Sequence, residues 1–353
     1  MVHAYSGLAE EPVEDHPRPE WARPWFSLNG PWQFDFDPED VGLTQRWYGQ
    51  HTYRHAINVP FPWQSPLSGV RDRGGLEYQG AAWYEREVTI PVDAGPRIFL
   101  VFGAVDWQAT VWVNGQQLAT HEGGYTPFEV ELTGVVRPGQ SARITVRAYD
   151  VTDSETPTGK QTGWYTPSGG IWQTVYLESR GLSYLKRAQI IPDIDAATAT
   201  FHCEVSAATA GKYEIEVGSR PSNLAGEFVR AYGRHKDKTR HVVTLEPGVH
   251  TIEVKHKISE LNLWSPDSPA LYVTHVQLFW LGTEAQPESR LEDTVWTYFG
   301  MRKVSRGTYG GSEHEYILLN NKPIFLRGAL HQSFNPEGVY AHPNDAYLRR
   351  DYE

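Results

Sequence analysis

Short runs of alternating apolar and polar residues recur along this chain, each closed by Gly, Pro, Asn or Asp, with little helical periodicity before the last ten residues. Trp32 to Phe36 alternates after a turn at Leu28-Asn29-Gly30. From Trp83 to Ile90, Tyr84, Arg86, Val88 and Ile90 share one face, and Trp83, Glu85, Glu87 and Thr89 the other. Arg97 to Phe102 is a short apolar run suited to a strand buried on both faces. Ala109 to Val113 runs into Asn114-Gly115, the strongest hairpin signal in the chain. Ala142 to Tyr149 and Gln173 to Glu178 complete the set. Many short strands with regular turns predict an all-β jelly roll or sandwich rather than a βαβ fold, over about residues 25–182. Residues 1–24, rich in Pro, Glu and Arg, read as an extended surface lead-in.

A second series follows at Thr198 to Val205, Lys212 to Val217, His241 to Leu245, His250 to His256, Tyr272 to Trp280 and Thr294 to Phe299. That number of strands predicts an immunoglobulin-like β-sandwich over 183–300. Lys236 to Arg240 reads as a solvated turn. Cys203 is the single cysteine, so this core must rest on packing without an intrachain disulfide. In residues 301–353 the pattern changes. Tyr316 to Leu319 and Ile324 to Leu326 flank Asn320-Asn321-Lys322-Pro323, as in a hairpin leading into a new strand. A helix is predicted from Asp345, with Asn344 as its N-cap.

Charge and composition narrow the function. The net charge is −11 with no compensating basic patch, which argues against nucleic acid and anionic membranes as partners. No apolar run approaches the roughly 20 residues of a membrane span. No basic-then-apolar leader is evident, which leads to an expected cytoplasmic location. Histidine and cysteine spacings give no metal site, no glycine loop cradles a phosphate, and no cofactor is expected. The 13 Trp, 19 Tyr and 13 Phe residues suit strands, and also suit a surface that stacks sugar rings.

Seven landmarks carry a family resemblance in order: Leu28-Asn29-Gly30-Pro31-Trp32; Ala82-Trp83-Tyr84; Ala104-Val105-Asp106 leading to Val111-Trp112-Val113-Asn114-Gly115; Gly170-Ile171-Trp172-Gln173-Thr174-Val175; Leu263-Trp264-Ser265-Pro266 with Leu271-Tyr272; Phe299-Gly300-Met301-Arg302-Lys303; and Leu319 through Gly328. The sequence resembles the N-terminal portion of glycoside hydrolase family 2. The resemblance implies a jelly-roll (galactose-binding-like) sugar-binding domain, then the immunoglobulin-like sandwich, then the opening of a (β/α)8 barrel. A barrel needs roughly 250 residues, and the family's two catalytic glutamates belong to later barrel strands. The resemblance therefore implies a non-catalytic N-terminal part of a retaining exo-glycosidase, with no catalytic residue in this chain. Two rivals are a stand-alone carbohydrate-binding protein and an assembly module that pairs with a barrel-bearing chain or forms a homo-oligomer.

The same resemblance places jelly-roll loops at the mouth of the barrel. It nominates Gln79, near an asparagine of the β-galactosidase pattern, and the segment Lys160 to Trp172. There Trp164, Tyr165 and Trp172 would offer platforms to sugar C–H faces, and Lys160 and Gln161 would donate to hydroxyls. Asp106, in a connection beside Trp107, and His331, after Gly328-Ala329-Leu330, are the remaining candidates for binding carbohydrate. Gln173-Thr174 stands where β-galactosidases and β-glucuronidases often carry an aspartate, so the sequence leaves the sugar unnamed.

Overall fold

The computed structural model describes residues 16–153, 155, 165–222 and 235–353. Its backbone divides into two compact units. One holds Pro24–Arg180 together with Gly328–Glu353; the other holds Gly181–Arg327 with the described residues up to Arg23.

The strands of the first unit are β1 (Trp25–Ser27), β2 (Gly30–Asp37), β3 (His55–Val59), β4 (Gly80–Thr89), β5 (Arg97–Phe102), β6 (Val105–Asp106), β7 (Gln108–Val113), β8 (Gln116–Glu122), β9 (Phe128–Glu131), β10 (Ser141–Asp150), β11 (Gly170–Ile171) and β12 (Val175–Arg180). They form a four-stranded sheet, β1-β12-β5-β9, and a six-stranded sheet, β3-β2-β4-β10-β7-β8, with a short β11-β6 pair. Every pairing in this unit is antiparallel. Alternation puts Phe34, Tyr84, Val111, Ile144 and Val146 into the core with Leu100 and Leu177 of the facing sheet. The β7–β8 turn is made by Asn114 (φ 52°) and Gly115 (φ 81°), the two left-handed residues that a tight hairpin needs.

Alternation alone would leave Trp83 and Trp112 in water. Both are buried, because the β2–β3 connection folds back over the outer face. Asp37 anchors that connection by accepting from Val41 N and Gly42 N, and from Trp83 Nε1. Tyr48 then stacks on Trp112 with centroids 5.1 Å apart. A Cβ on Gly42 would lie 2.8 Å from Asp37 Oδ2 and inside the Trp83 ring, so only glycine lets the chain pass there.

The second unit contains β13 (Tyr184–Asp193), β14 (Thr198–Ala207), β15 (Gly211–Ser222), β16 (Asp237–Leu245), β17 (Gly248–Lys257), β18 (Leu271–Gly282) and β19 (Pro287–Phe299). These make a three-stranded sheet, β13-β14-β17, against a four-stranded sheet, β16-β15-β18-β19. Phe201, Cys203, Val205, Ile215, Val217, Val276 and Val295 fill the space between them. Two sequence expectations need correction here. Lys236 to Arg240 is no turn: Asp237 onward belongs to β16, and Lys238 and Arg240 reach across to Glu216 on β15 at 3.0 and 2.8 Å. Nor do residues 21–23 lie on the surface. Ala22 bridges Trp296, Trp21 is buried, and Arg23 pairs with Asp293 inside the unit.

His256 is fully buried on β17, between the Ser219 and Thr239 hydroxyls, each 2.8 Å from a ring nitrogen. Burial pushes its pKa down from 6.5 to about 4. The folded unit therefore refuses a proton that the unfolded chain accepts. The stability this gives is complete above pH 6.5 and drains as pH falls from 6.5 toward 4. In thermal scans at pH 7 and pH 4, His256→Gln is expected to lose about 2 kcal/mol less than wild type on acidification.

After β19 come β20 (Val304–Thr308), β21 (Glu315–Leu319) and β22 (Lys322–Pro323), a three-stranded hairpin sheet in the second unit. Asn320 (φ 51°) and Asn321 (φ 65°) make the turn that the sequence predicted. The strand expected at Ile324 to Leu326 does not form. Phe325 is 84% exposed and Leu326 65% exposed, because neither finds a sheet to pair with. No (β/α)8 barrel is present among the described residues. The one α-helix among them, α1 (Asp345–Tyr352), sits in the first unit and is capped as expected, Asn344 Oδ1 accepting from Tyr347 N at 2.8 Å. No helix among the described residues is long and apolar enough to cross a membrane.

Candidate functional site

At one end of the first unit, β10 finishes beside the β6–β11 pair. Gly170 pairs with Asp106 and Ile171 with Val105. Gly80, at the start of β4, pairs with Asp150. Two carboxyl side chains, Asp106 and Asp150, thus sit at this end, and each is only 5% exposed. Backbone packs directly on them: a Cβ on Gly124 would collide with Asp106 Oδ1, and one on Gly169 would lie 2.7 Å from Asp150 Oδ2. Burial first, and then the charge of Asp106, raise the Asp150 pKa to about 8. At neutral pH Asp150 is mostly a neutral acid, able to donate a hydrogen bond as well as accept one.

Trp63 and Tyr84 support the floor. Trp63 Nε1 donates to Tyr78 O, Gln64 Oε1 accepts from Gly169 N, and the Tyr84 hydroxyl accepts from Ile171 N. Gly170 takes φ +84°, and a Cβ there would strike the Tyr84 hydroxyl and the Trp63 ring. Gly170→Ala is expected to cost at least about 2 kcal/mol in urea unfolding, through combined backbone strain and overpacking.

Above the floor lies a run of aromatic rings. Tyr165 stacks on Phe334 at 4.7 Å, and Phe334 meets Tyr340 edge-on at 6.2 Å. Tyr340 lies 5.8 Å from Trp172 and 6.2 Å from Tyr125. Trp172 is 8% exposed and donates Nε1 to Gly124 O at 2.7 Å, so it anchors the cluster, while Tyr125 is 44% exposed. Burial, together with the negative charge of Asp106, raises the Tyr340 pKa and keeps its phenol protonated. The Tyr340 ring is set by a tight turn: Asn335 Oδ1 accepts from Glu337 N and Gly338 N, and Ser65 Oγ donates to Glu337 O.

Five of the eight sequence candidates fall among the described residues, and all five belong to this end. Asp106, Tyr165 and Trp172 contribute directly to the cluster. Asp106 lies in a short strand, not in a connection, and points into the structure. Gln79 is exposed, its Oε1 accepting from Thr152 N, just before Gly80. His331 is exposed and 3.2 Å from Asp351, next to Gln332, which accepts from the Tyr165 hydroxyl. Lys160, Gln161 and Trp164 lie outside the described residues. Sequence reading missed Asp150, Tyr125, Phe334 and Tyr340. A weak signal existed for Asp150, a lone acid ending an apolar strand; the others are brought in by long-range folding. No group of His, Cys, Asp and Glu among the described residues is arranged to hold a metal ion.

Comparison with known proteins agrees with this architecture. The family model "Glycosyl hydrolases family 2, sugar binding domain" matches residues 26–180, and "Glycosyl hydrolases family 2" matches residues 183–302. A β-glucuronidase of Canis lupus familiaris is 32% identical across 91% of this chain and 50% of its own length. The Homo sapiens β-glucuronidase is 28% identical across 89% of this chain and 49% of its own length. Among solved structures, the β-glucuronidase from Ruminococcus gnavus in complex with D-glucuronic acid superposes with a TM-score of 0.70 at 22% identity, over 93% of this chain and 53% of that one. The chain spans about half the length of the curated relatives it matches. Two family models in succession, on the two sandwiches in the order the sequence resemblance required, make this chain a member of glycoside hydrolase family 2.

Proposed function

We propose that this chain is the N-terminal, sugar-contacting and non-catalytic part of a retaining family 2 exo-glycosidase acting on a β-glucuronide. The observation that carries this reading is the pair of family models on its two sandwiches, joined by the naming of its relatives as β-glucuronidases. The β-glucuronidase relatives outweigh the sequence departure at Gln173-Thr174 in choosing the sugar. The aromatic end of the first unit suits a sugar's C–H faces, with Gln332, Gln79 and His331 available to hydroxyls. Glycoside hydrolysis with retention needs two carboxyl groups flanking the bond, about 5–5.5 Å apart. Asp106 and Asp150 are buried with Gly124 and Gly169 packed on them, so they brace the backbone at this end rather than flank a glycosidic bond.

The test is calorimetric titration with D-glucuronic acid. Binding with Kd on the order of 1 mM, weakened in Tyr340→Ala, is the expected result. Equal affinity in both proteins removes Tyr340 from the sugar site. A second reading, pairing with a separate barrel-bearing chain, is favoured by the exposed Phe325 and Leu326 just past the β22 edge, since soluble proteins seldom leave such an apolar edge bare.

A further inference from the structure

The outer face of the six-stranded sheet carries a feature that neither the sandwich core nor the aromatic end uses. The β2–β3 connection does not lie flat on this face. Between it and β10 remains an open groove of about 490 Å³, lined by Gln45, Trp47, Gln50, His51, Thr52 and Arg143. That is within the usual range of small-molecule sites. Two amides, a hydroxyl, an imidazole and a guanidinium face it with one indole, and no carboxylate is among the lining residues.

The walls are held in place. Trp47 stacks on His51 at 3.9 Å and leans on Trp83 at 6.0 Å, and Trp83 stacks on Trp112. His51 Nε2 lies 2.8 Å from Asp35 Oδ2, and Arg54 Nε donates to the same carboxylate's other oxygen. Gln45 Oε1 accepts from Trp47 Nε1, which fixes the amide and leaves its NH2 end available. Asp40, on the same connection, pairs with Arg147 at 2.7 Å. A groove with such walls needs little reordering when a ligand enters, which is what favours affinity in a polar site.

Arg143 is the group whose hydrogen-bonding capacity is least used. Its Nε is enclosed and makes a loose ion pair with Glu85 at 3.7 Å, while the side chain is 35% exposed, so the rest of the guanidinium is what it offers to the groove. Glu85 Oε2 also accepts from Thr145 Oγ1 at 3.3 Å. A planar guanidinium with spare donors at the wall of a groove matches a planar carboxylate. The surrounding amides and hydroxyl match vicinal hydroxyls. A carboxylate and vicinal hydroxyls on one small rigid ring describe a uronic acid residue.

We propose that this groove is a second carbohydrate-binding site, specific for a uronate-bearing sugar, with Arg143 receiving the carboxylate and Gln45, Gln50 and Thr52 receiving the hydroxyls. It lies on the outer face of the sheet and shares no residue with the aromatic cluster around Tyr340.

Calorimetric titration of the whole chain with a hyaluronan tetrasaccharide, alongside uncharged cellotetraose, tests this. The expected result is saturable binding of the uronate tetrasaccharide, at least about tenfold tighter than cellotetraose, and weakening with added salt. Arg143→Gln is expected to weaken it about tenfold and Arg97→Ala, on the four-stranded sheet, to leave it unchanged. Gln50→Ala, on the exposed connection, gives a second reading should Arg143→Gln perturb folding, and is expected to weaken binding severalfold. No binding of the tetrasaccharide, equal affinity for cellotetraose, indifference to both groove substitutions, or an equal loss in Arg97→Ala overturns the proposal. Because the groove would also take free D-glucuronic acid, the Tyr340→Ala titration is made in an Arg143→Gln background, where the aromatic end is the remaining proposed site.

Discussion

Asp150→Asn is expected to raise the thermal midpoint at pH 9 by on the order of 6–12 °C relative to wild type, with a severalfold smaller rise at pH 5. Asp150 is 5% exposed, and burial with the nearby Asp106 charge raises its pKa from 3.8 to about 8. The folded state therefore holds a proton that the unfolded chain releases above pH 3.8. The resulting stability is full below that value, drains as pH rises from 3.8 to about 8, and is gone above that. A shift of this size corresponds to roughly 3–6 kcal/mol for a carboxyl so buried. Asparagine keeps the shape and never ionises, so the variant escapes the alkaline loss. An equal change in midpoint between pH 5 and pH 9 in the two proteins would mean that Asp150 is ionised in the fold at no cost. His256 acts in the opposite direction, its contribution draining on the acid side. Because the two groups belong to different units, the acid and alkaline limbs are expected to report different unfolding transitions.

Arg23→Ala is expected to cost about 3–5 kcal/mol in urea unfolding of the second unit. Arg23 and Asp293 are 1% and 4% exposed, with Nη2 2.7 Å from Oδ2 and Nε 2.9 Å from Oδ1. Asp293 Oδ2 also accepts from Leu185 N at 2.8 Å, so the carboxylate is fixed in place and cannot turn to water. Truncating the arginine leaves that charge buried beside a hole. Replacing both partners, as Arg23→Met with Asp293→Leu, removes the stranded charge and is expected to recover most of the loss. Arg97→Ala, which breaks the far more accessible pair with Glu131, is expected to cost under about 1 kcal/mol. A loss from Arg23→Ala as small as that from Arg97→Ala would mean that residues 19–23 do not dock in solution.

These two predictions rest on residues at opposite limits of what a sequence displays. Period-two alternation is local, and it located Trp32 to Phe36, Trp83 to Ile90 and the β14–β19 series without any tertiary knowledge. Turn chemistry is equally local, so Asn114-Gly115, Asn320-Asn321 and the Asn344 cap could all be read directly. β13 escaped because its register shifts between Leu185 and Arg187 and its later residues alternate around half-exposed positions. Asp237 to Arg240 looked like a turn because a charged run resembles solvated loop until Glu216 is known to lie opposite. Arg23 finds Asp293 270 residues away, and no local pattern encodes that. The candidate site divides in the same way. Asp106, Tyr165 and Trp172 were nominated from family landmarks. Phe334 and Tyr340 come from beyond residue 328 and join the first unit only through folding. Asp150 becomes unusual only once Trp63, Gly169 and Asp106 surround it.

The central proposal is that the two sandwiches of this chain contact sugar without cleaving it. Incubating the purified chain, its mass verified, with p-nitrophenyl β-D-glucuronide tests this most directly. The expected result is no nitrophenol release above the buffer rate. Release that disappears on substituting a carboxylate of this chain, Asp106 and Asp150 being the first to try, would contradict the claim and place a catalytic pair within these residues.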